Sequence, residues 1–440
     1  MTLFEKGVFA LNALEAHGHA AYFVGGYVRD RLMGRECNDI DLATDALPQE
    51  VKIIFADYPV LETGIKHGTV TLLLDHTPLE ITTFRTDGGY SDARHPDAVR
   101  FTPSLEEDLA RRDFTINAMA YHPEKGVIDP YGGQDDLRKG VLRCVGDPET
   151  RFREDALRIL RALRFSAVLG FSVEKETAAA MRREKYRMAM LSAERVASEV
   201  KKLLCGKKAG AVLCADWDIL DQIFPFLDAM HGFAQQNDHH IYDVLTHTAV
   251  VVDHIDPEPR LRLAALLHDC GKPDCFSLDA DGVGHFYGHA GISAAIAQQT
   301  LEALKIDKAT RERVVRLVKM HDAPIPETKA AIKRKLAQLG EAGLSDLIRL
   351  QRADTLGLAP QFHDRLAHFD ALERITADVL QEAACFSVRS LNLNGNDLKA
   401  LGYQGKDIGE ALQMLVDAVI EETVVNEKEA LLAYLNEQRN

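Results

Sequence analysis

Apolar positions along the chain follow two regimes. Up to about residue 145, short runs and alternations dominate. Residues 20–24 form a short apolar run ending at Gly25-Gly26, residues 27–33 carry helical spacing stopped by Gly34, and residues 39–43 alternate polar with apolar. Thr69–Leu74 and residues 79–84 read as two strands joined across Asp75-His76-Thr77-Pro78, a hairpin connection. From Glu154 nearly to the C-terminus, apolar residues recur at helical spacing, broken at Gly206, Pro225, Pro257-Glu258-Pro259 and residues 282–288. The pattern predicts an α+β fold, in which a small sheet with flanking helices is followed by an essentially all-helical remainder.

Length and composition refine that picture. With 440 residues, 46% of them hydrophobic, the chain can bury more than one core, and about three units are expected. No run of about 18 apolar residues occurs, and the opening MTLFEKGVFALNALEAHG reads as an amphipathic helix rather than a signal peptide. A cytoplasmic protein without a membrane partner is the expectation. The seven cysteines are scattered singly, which implies neither a disulfide framework nor a cysteine zinc site. Net charge is -15, yet residues 138–208 hold 18 Lys/Arg against 9 Asp/Glu, a basic stretch in an acidic chain. Such a stretch suits a localised polyanion, and equally a solvated helical face.

The candidate chemistry begins at Gly25, in GGYVRDRLMGRECNDIDLATDA. Asp39 and Asp41 flank Ile40 on an extended segment, so period-2 alternation sends both carboxylates to one face and Ile40 and Leu42 to the other. Two carboxylates so placed can hold a divalent cation, which transfer from a nucleoside triphosphate requires. A lone D-x-D is usually only a solvated pair. Here Gly25-Gly26 sits between a strand and a helix start, where backbone amides can approach phosphate, and Arg29 follows within a turn.

The string GGxVRDxLxGxxxxDxDxxT is matched without a gap. EITTFR (Glu80 to Arg85), DGGYSDARHPDAVRF, DLARRDFTINAMA, DPYGGQDDL and REDALRILRALRF follow in order within the first 165 residues. This set resembles the class II tRNA nucleotidyltransferases of the DNA polymerase β superfamily. The resemblance implies CCA addition to tRNA 3' ends from CTP and ATP, with Asp39 and Asp41 as catalytic ligands of Mg²⁺. It puts Gly25, Gly26 and Arg29 near the triphosphate, with Asp30 holding Arg29, and gives Glu80 a supporting role. Arg112, Asp113 and Asn117 would contact ribose and triphosphate, and Arg161 joins the nucleotide-binding set. Asp155 and Arg158 lie three apart, which on one helix makes them neighbours and, as a plain surface pair, contributes only about 0.2–0.5 kcal/mol. In the family context an Asp acceptor beside an Arg donor pairs with cytosine or adenine and rejects uracil and guanine, whose edges present the opposite order. Glu154 would orient Arg158 or its helix.

A second constellation lies downstream. LRLAALLHDCGKP runs apolar over residues 261–267 and ends in His268-Asp269; His247 lies upstream and Asp354 downstream. An isolated His-Asp pair is more often structural, but the set H, HD, D resembles the HD phosphohydrolase superfamily. That implies a divalent metal at His247, His268, Asp269 and Asp354, with phosphatase or 2',3'-cyclic phosphodiesterase activity. His285, His289 and His321 fall where related domains place further phosphate or second-metal contacts, although Gly288 argues against a helical pair of His285 with His289. The implied domains are a nucleotidyltransferase head (1–145), a helical neck and RNA-binding domain (146–235), an HD domain (236–365) and a helical tRNA-contact region (366–440). For that last region a packing role is an equal alternative.

Rival readings share these motifs. A poly(A) polymerase, or an enzyme adding only CC or only A, would carry the same head, and an HD phosphohydrolase could keep a head that merely binds nucleotide. ETGIKHGTVTLLLD lacks the basic, aromatic character usual in bacterial poly(A) polymerases. Residues 87–99, rich in Gly and Asp, read as a mobile loop beside the pocket, and its presence favours full CCA addition. Oligomeric state is not legible.

Overall fold

The computed structural model describes all residues except Asn38, residues 89–98, residues 383–386 and Asn440, and the side chains of Asp87 and Arg439. The loop expected over residues 87–99 therefore lies mostly outside the described residues. Contacts divide the chain into two units, Met1–Asp228 and Ala229–Asn440. The expected boundary at 235 falls near that division, while those at 145 and 365 lie inside the units.

The first unit is built on a seven-stranded sheet. Its strands are β1 (Ala21–Val24), β2 (Asp41–Thr44), β3 (Val60–Leu61), β4 (Thr69–Leu74), β5 (Thr77–Thr83), β6 (Ala120–His122) and β7 (Gly126–Ile128), in the order β3-β4-β5-β2-β1-β6-β7. The β2/β5 pair is parallel and sets Asp41 opposite Glu80; the other pairs are antiparallel. β4 alternates buried and half-buried residues, so one face meets the core. That core gathers Phe23, Leu42, Leu72, Leu79 and Ile81 beneath Leu11 and Leu14 of helix α1 (Leu3–Ala16), which Thr2 and Glu5 start with a capping box. The hairpin is tighter than expected. Thr77 and Pro78 pair with Leu74 and Leu73, leaving Asp75 and His76, both at positive φ, as a two-residue turn whose twist suits the strands.

The helices after the sheet belong to this same unit. Arg161 of the helix Leu157–Leu169 pairs with Asp113, and Phe165 of that helix meets the buried Phe114 edge-on at 5.9 Å. These contacts tie the helix to the segment that follows the sheet within the first unit.

In the second unit, the helix Pro259–Leu267 is buried along nearly its whole length, which accounts for its uninterrupted apolar run. Around it lie the helices Val244–His254, His289–Ala303, Lys308–Met320 and Lys329–Leu356, the last kinked at Gly340 (φ 70°, ψ 171°). Farther on, Leu393, Leu398, Leu415, Val416, Ile420, Leu431 and Leu435 form a cluster of their own. The apolar face of the C-terminal region is thus used for packing.

Candidate active sites in the two units

In the first unit a cleft of about 530 Å³ opens at the end of β1 and β2. β1 leads directly through Gly25 into helix α2 (Gly26–Leu32). Gly25 takes φ +67°, and a Cβ there would lie 3.1 Å from Arg112 Nη1 and 3.6 Å from Asp41 Oδ2. A side chain at this position would push into the charged groups of the cleft. Asp41 lines the cleft beside Glu80, its register partner. Burial first, then the nearby carboxylates of Glu80 and Asp39, push the Asp41 carboxyl up to about 6, against a smaller downward pull from Arg112. Asp39 precedes the strand and is exposed, while Ile40 and Leu42 are buried as the alternation requires. Asp41 and Glu80 thus line the cleft together, with Asp39 near enough to act on Asp41, a donor set suited to a hard divalent cation.

The rest of the lining is strongly cationic. Arg29, Arg85, Arg111, Arg112, Arg158, Arg161, Arg164 and Arg195 all belong to it. Several are fixed by one chain of bonds. Asp30 receives Arg29 through two bonds of 3.0 and 2.7 Å, Arg29 donates to Asn117 Oδ1 at 2.8 Å, Asn117 donates to Asp113 at 3.0 Å, and Arg161 donates to Asp113 at 2.7 Å. Burial opposes ionisation of Asp113, but the Arg161 charge and the Asn117 hydrogen bond outweigh it and hold the carboxyl down at about 2. Both of its oxygens are occupied, so Asp113 is a strut for Arg161 and Asn117. Arg112 is held in the same manner by the buried Asp108 at 3.0 Å.

The expected helical pairing of Asp155 with Arg158 needs correction. One helix ends at Glu154 and the next starts at Leu157; between them Asp155 is extended (φ -143°, ψ 103°), and its Oδ1 accepts from Leu157 N at 3.0 Å. The carboxylate competes with the helical backbone bond and opens the helix at that point. Arg158 instead pairs with Glu154 at 2.7 Å and donates to the carbonyls of Arg151 and Arg111. Asp155 and Arg158 still line the same cleft. Glu80 was expected only in a supporting role, and Arg85, Arg164 and Arg195 were not singled out; three-dimensional neighbourhood, not local spacing, brings these arginines in.

In the second unit six side chains converge. The nearest polar atoms of His247, His268 and Asp354 lie within 4.8 Å of one another, as do those of Asp269, His289 and His321. All four histidines are oriented alike, with Nδ1 against a backbone carbonyl: His247 on Gly357 (3.1 Å), His268 on Ala265 (2.7 Å), His289 on Phe286 (2.8 Å) and His321 on Val318 (2.7 Å). A carbonyl only accepts, so each Nδ1 carries the proton and each Nε2 points inward, the arrangement that metal-ligating histidines require. Asp269 joins the two groups. Its Oδ2 is 3.2 Å from His268 Nε2 and 3.4 Å from His247 Nε2, while its Oδ1 is 3.4 Å from His289 Nε2 and 3.5 Å from His321 Nε2. The residue is 1% exposed; Oδ2 also has the Lys272 ammonium at 2.6 Å, while Oδ1 has only the two imidazoles near it. A buried carboxylate with one oxygen turned to each histidine pair is a donor that a cation on either side could share.

Charge within this cluster is internally balanced. Burial opposes protonation of His268, but Asp269 and Asp354 overcome it and raise its pKa to about 10; Asp269 and Asp354 are correspondingly held well below the usual carboxylate range. Lys272 adds a cation 2.6 Å from Asp269, and Gly357 admits His247 so closely that a Cβ there would sit 2.7 Å from Nδ1. Neither was picked out as functional, although Lys272 stands three residues after Asp269, a spacing that local inspection could use. His285 lies apart from both ligand groups. It ends a short strand, and Gly288, at φ +80°, starts the helix only at His289.

Three family models match the chain: the Poly A polymerase head domain over residues 21–143, the "Probable RNA and SrmB- binding site of polymerase A" over 170–230, and tRNA nucleotidyltransferase domain 2 over 285–435. The CCA-adding enzyme of Leuconostoc mesenteroides is 49% identical over 222 residues, which span 50% of this chain and 54% of that one. The chain thus spans about half the length of that relative and of the Geobacillus thermodenitrificans enzyme (52%). The CCA-adding enzyme of Geobacillus kaustophilus is 35% identical over 442 residues, covering 99% of this chain and 97% of its own. A solved CCA-adding enzyme of Bacillus stearothermophilus in complex with CTP superposes with a TM-score of 0.76 at 30% identity, over 100% of this chain and 98% of that one. No described helix is long and apolar enough to cross a membrane. A cleft lined by carboxylates and arginines, reached through a Gly-Gly strand end, accompanies a likeness that runs through both units, and on that footing the chain belongs to the class II CCA-adding enzymes.

Proposed function

We propose that the first unit builds the CCA end of tRNA from CTP and ATP, and that the histidine cluster of the second unit hydrolyses phosphoesters. The observation that carries the first reading is the joining, in one cleft, of the Asp41–Glu80 carboxylates, the Arg29–Asn117–Asp113–Arg161 chain and the Asp155/Arg158 pair. Asp39 and Asp41, with Glu80 beside them, would hold Mg²⁺, which when bound offsets the charge that develops during phosphoryl transfer. Arg29, Arg112 and Arg161 bind the triphosphate as fixed cations. Each is held by a carboxylate, so little reorganisation is needed when the nucleotide arrives. The tRNA 3' hydroxyl gives up its proton to water as its oxygen bonds to the α-phosphorus, the bond from that phosphorus to the oxygen bridging to the β-phosphate breaks, and pyrophosphate leaves. Asp155 and Arg158 read the base edge, and Glu154 aims Arg158. The basic residues of 138–208 suit the tRNA backbone.

The two-sided carboxylate of Asp269 carries the second reading. His247, His268, Asp354 and Asp269 would hold one divalent cation, with His289 and His321 offering a second place. Such ions supply Lewis acidity toward a phosphoester, and the imidazole-rich donor set favours a transition metal.

One incubation tests both. With tRNA ending at the discriminator base, CTP, ATP and Mg²⁺, the product should lengthen by C, C and A and stop. A long A tail would make the protein a poly(A) polymerase, and a stop after CC would make it a partial enzyme. In a parallel vessel, a 2',3'-cyclic nucleotide with Mn²⁺ or Ni²⁺ should be opened, and no turnover with any divalent metal would remove the hydrolase reading.

A further inference from the structure

The base-reading carboxylate does not stand alone. Asp155 occupies the break between the helices Pro148–Glu154 and Leu157–Leu169, and both of its oxygens are engaged from within the protein. Oδ1 accepts from Leu157 N at 3.0 Å, and Oδ2 accepts from Arg195 Nη2 at 2.6 Å. Arg195 comes from another element, the helix Ala193–Leu204, forty residues along the chain. It lines the same cleft, and its Nη1 is shielded from solvent without a hydrogen-bond partner among the described residues.

We propose that Arg195 is a specificity-determining positioning residue, which fixes the plane of the Asp155 carboxylate so that its free lone pairs and the Arg158 donors meet a base edge in one order only. The proposal rests on the reading of Asp155 and Arg158 as the base-selecting pair.

The physical argument is one of rotation. A carboxylate held at one oxygen can turn about its χ2 axis, and a turned acceptor no longer discriminates a base edge that offers donor then acceptor from one that offers the reverse. Two bonds from different directions, one from backbone and one from a planar guanidinium, remove that freedom. Hydrogen-bonding sites reject wrong partners because a mismatch strands buried polar groups, and that penalty exists only while the groups cannot turn away.

A scaffold role for Arg195 is the competing explanation, and the packing argues against it. The helix carrying Arg195 is already fastened by a second ion pair, Arg164 to Glu199 at 2.6 Å, and by the buried Val196, Val200, Leu203 and Leu204. Removing Arg195 leaves that seam intact.

The test uses the full chain as wild type, Arg195→Ala, Arg195→Lys, Asp155→Ala and the Arg195→Ala/Asp155→Ala double variant. kcat/KM is measured for CTP, ATP, UTP and GTP on tRNA ending at the discriminator base and on tRNA ending in CC, and a thermal melt confirms that each variant is folded. In Arg195→Ala, discrimination against UTP and GTP should fall by about 100-fold, with the KM for tRNA unchanged. Arg195→Lys, which keeps a single cation, should recover part of that loss, and the double variant should be no less selective than Asp155→Ala, since Arg195 acts through Asp155. Equal losses with all four nucleotides, or additive losses of selectivity in the double variant, would overturn the proposal. A wild type that adds CCA beside an Arg195→Ala variant of unchanged selectivity sinks this inference alone, whereas a wild type that adds no C or A to tRNA sinks the reading beneath it as well.

Discussion

The two candidate metal sites solve opposite problems. In the first unit, Asp41 and Glu80 face each other across a parallel strand pair with Asp39 nearby, and the arginines that could neutralise them are tied to Asp30, Asp108 and Asp113 instead. Burial first, and then the neighbouring Glu80 and Asp39 carboxylates, raise Asp41 to about 6. In the second unit the carboxylates are matched by His268, whose pKa they raise, and by Lys272, and burial is near total for His247, His268 and Asp269. An open cleft can keep its charge unsatisfied, because water and dissolved ions screen it. A closed cluster cannot, since an unpaired buried charge costs several kcal/mol. The difference teaches where each site should fail when altered.

The sharpest way to break the comparison is to neutralise one site and read both activities. Asp41→Asn should lower nucleotide incorporation by about 10³-fold or more, with hydrolysis by the second unit unchanged and tRNA binding retained. Near wild-type incorporation by this variant would dismiss the carboxylate cleft as the transfer site. Asp269→Asn should do the reverse, removing metal-dependent hydrolysis and sparing CCA addition. Its effect on folding should also be larger, about 3–5 kcal/mol, because Lys272 and the imidazoles would face a buried site without their counter-charge. Denaturant melts of the two variants provide the check, and equal stability of Asp269→Asn and wild type would refute the internally neutralised cluster.

How much of this was legible in the chain depends on how far apart the partners lie. Gly25-Gly26, Arg29 and the D-x-D segment are local, and the strand-turn-helix around Gly25 follows from their spacing. The hairpin was visible, but not that Thr77 and Pro78 belong to its strand, because pairing register is a property of two segments. Asp155 and Arg158 were misplaced on one helix since three-residue spacing says nothing about a side chain that caps its own break. Glu80 beside Asp41, and Arg195 on Asp155, depend on register and helix packing across some forty residues, which no local pattern encodes. In the second unit the H, HD, D set was legible by type and order, yet the sharing of Asp269 between two histidine pairs requires the fold.

A gentler contrast comes from pH in the metal-free protein. The folded Asp41 pKa lies above its ordinary 3.8, so the folded state binds this proton more tightly, and the group's effect on stability becomes unfavourable as pH rises from about 4 to 6. Asp41→Asn should therefore raise the melting temperature above pH 6 in EDTA, with the gain vanishing near pH 4. His268 has the same slope in a higher window: its folded pKa is raised to about 10, so it contributes stability that is complete below about 6.5 and is lost as pH rises toward 10. Asp269, held low, contributes above its ordinary range and loses that contribution in acid. Melting curves of the metal-free wild type and of Asp41→Asn between pH 4 and 10 separate the two windows, and an Asp41→Asn gain that grows toward acid would contradict the assignment.

The smallest expected effect separates two histidines that the sequence treats alike. His289 stands 3.1 Å from His321 and 3.4 Å from Asp269 through Nε2, with Nδ1 held by the Phe286 carbonyl. His285, four residues earlier, turns its Nε2 to Asp279 at 2.8 Å and stacks on the exposed Tyr287 with centroids 5.1 Å apart. It borders the pocket but belongs to neither ligand group. If ligation sets the rate, His289→Ala should cost hydrolysis about 100-fold and weaken metal binding, in line with the loss of a ligand or of its support. His285→Ala should cost less than about 10-fold and leave metal affinity, read by isothermal titration, unchanged, since only an edge contact to the substrate is lost. Equal losses of metal affinity in both variants would mean that His285 swings inward on loading, and the second cation place would then have to be drawn with three histidines rather than two.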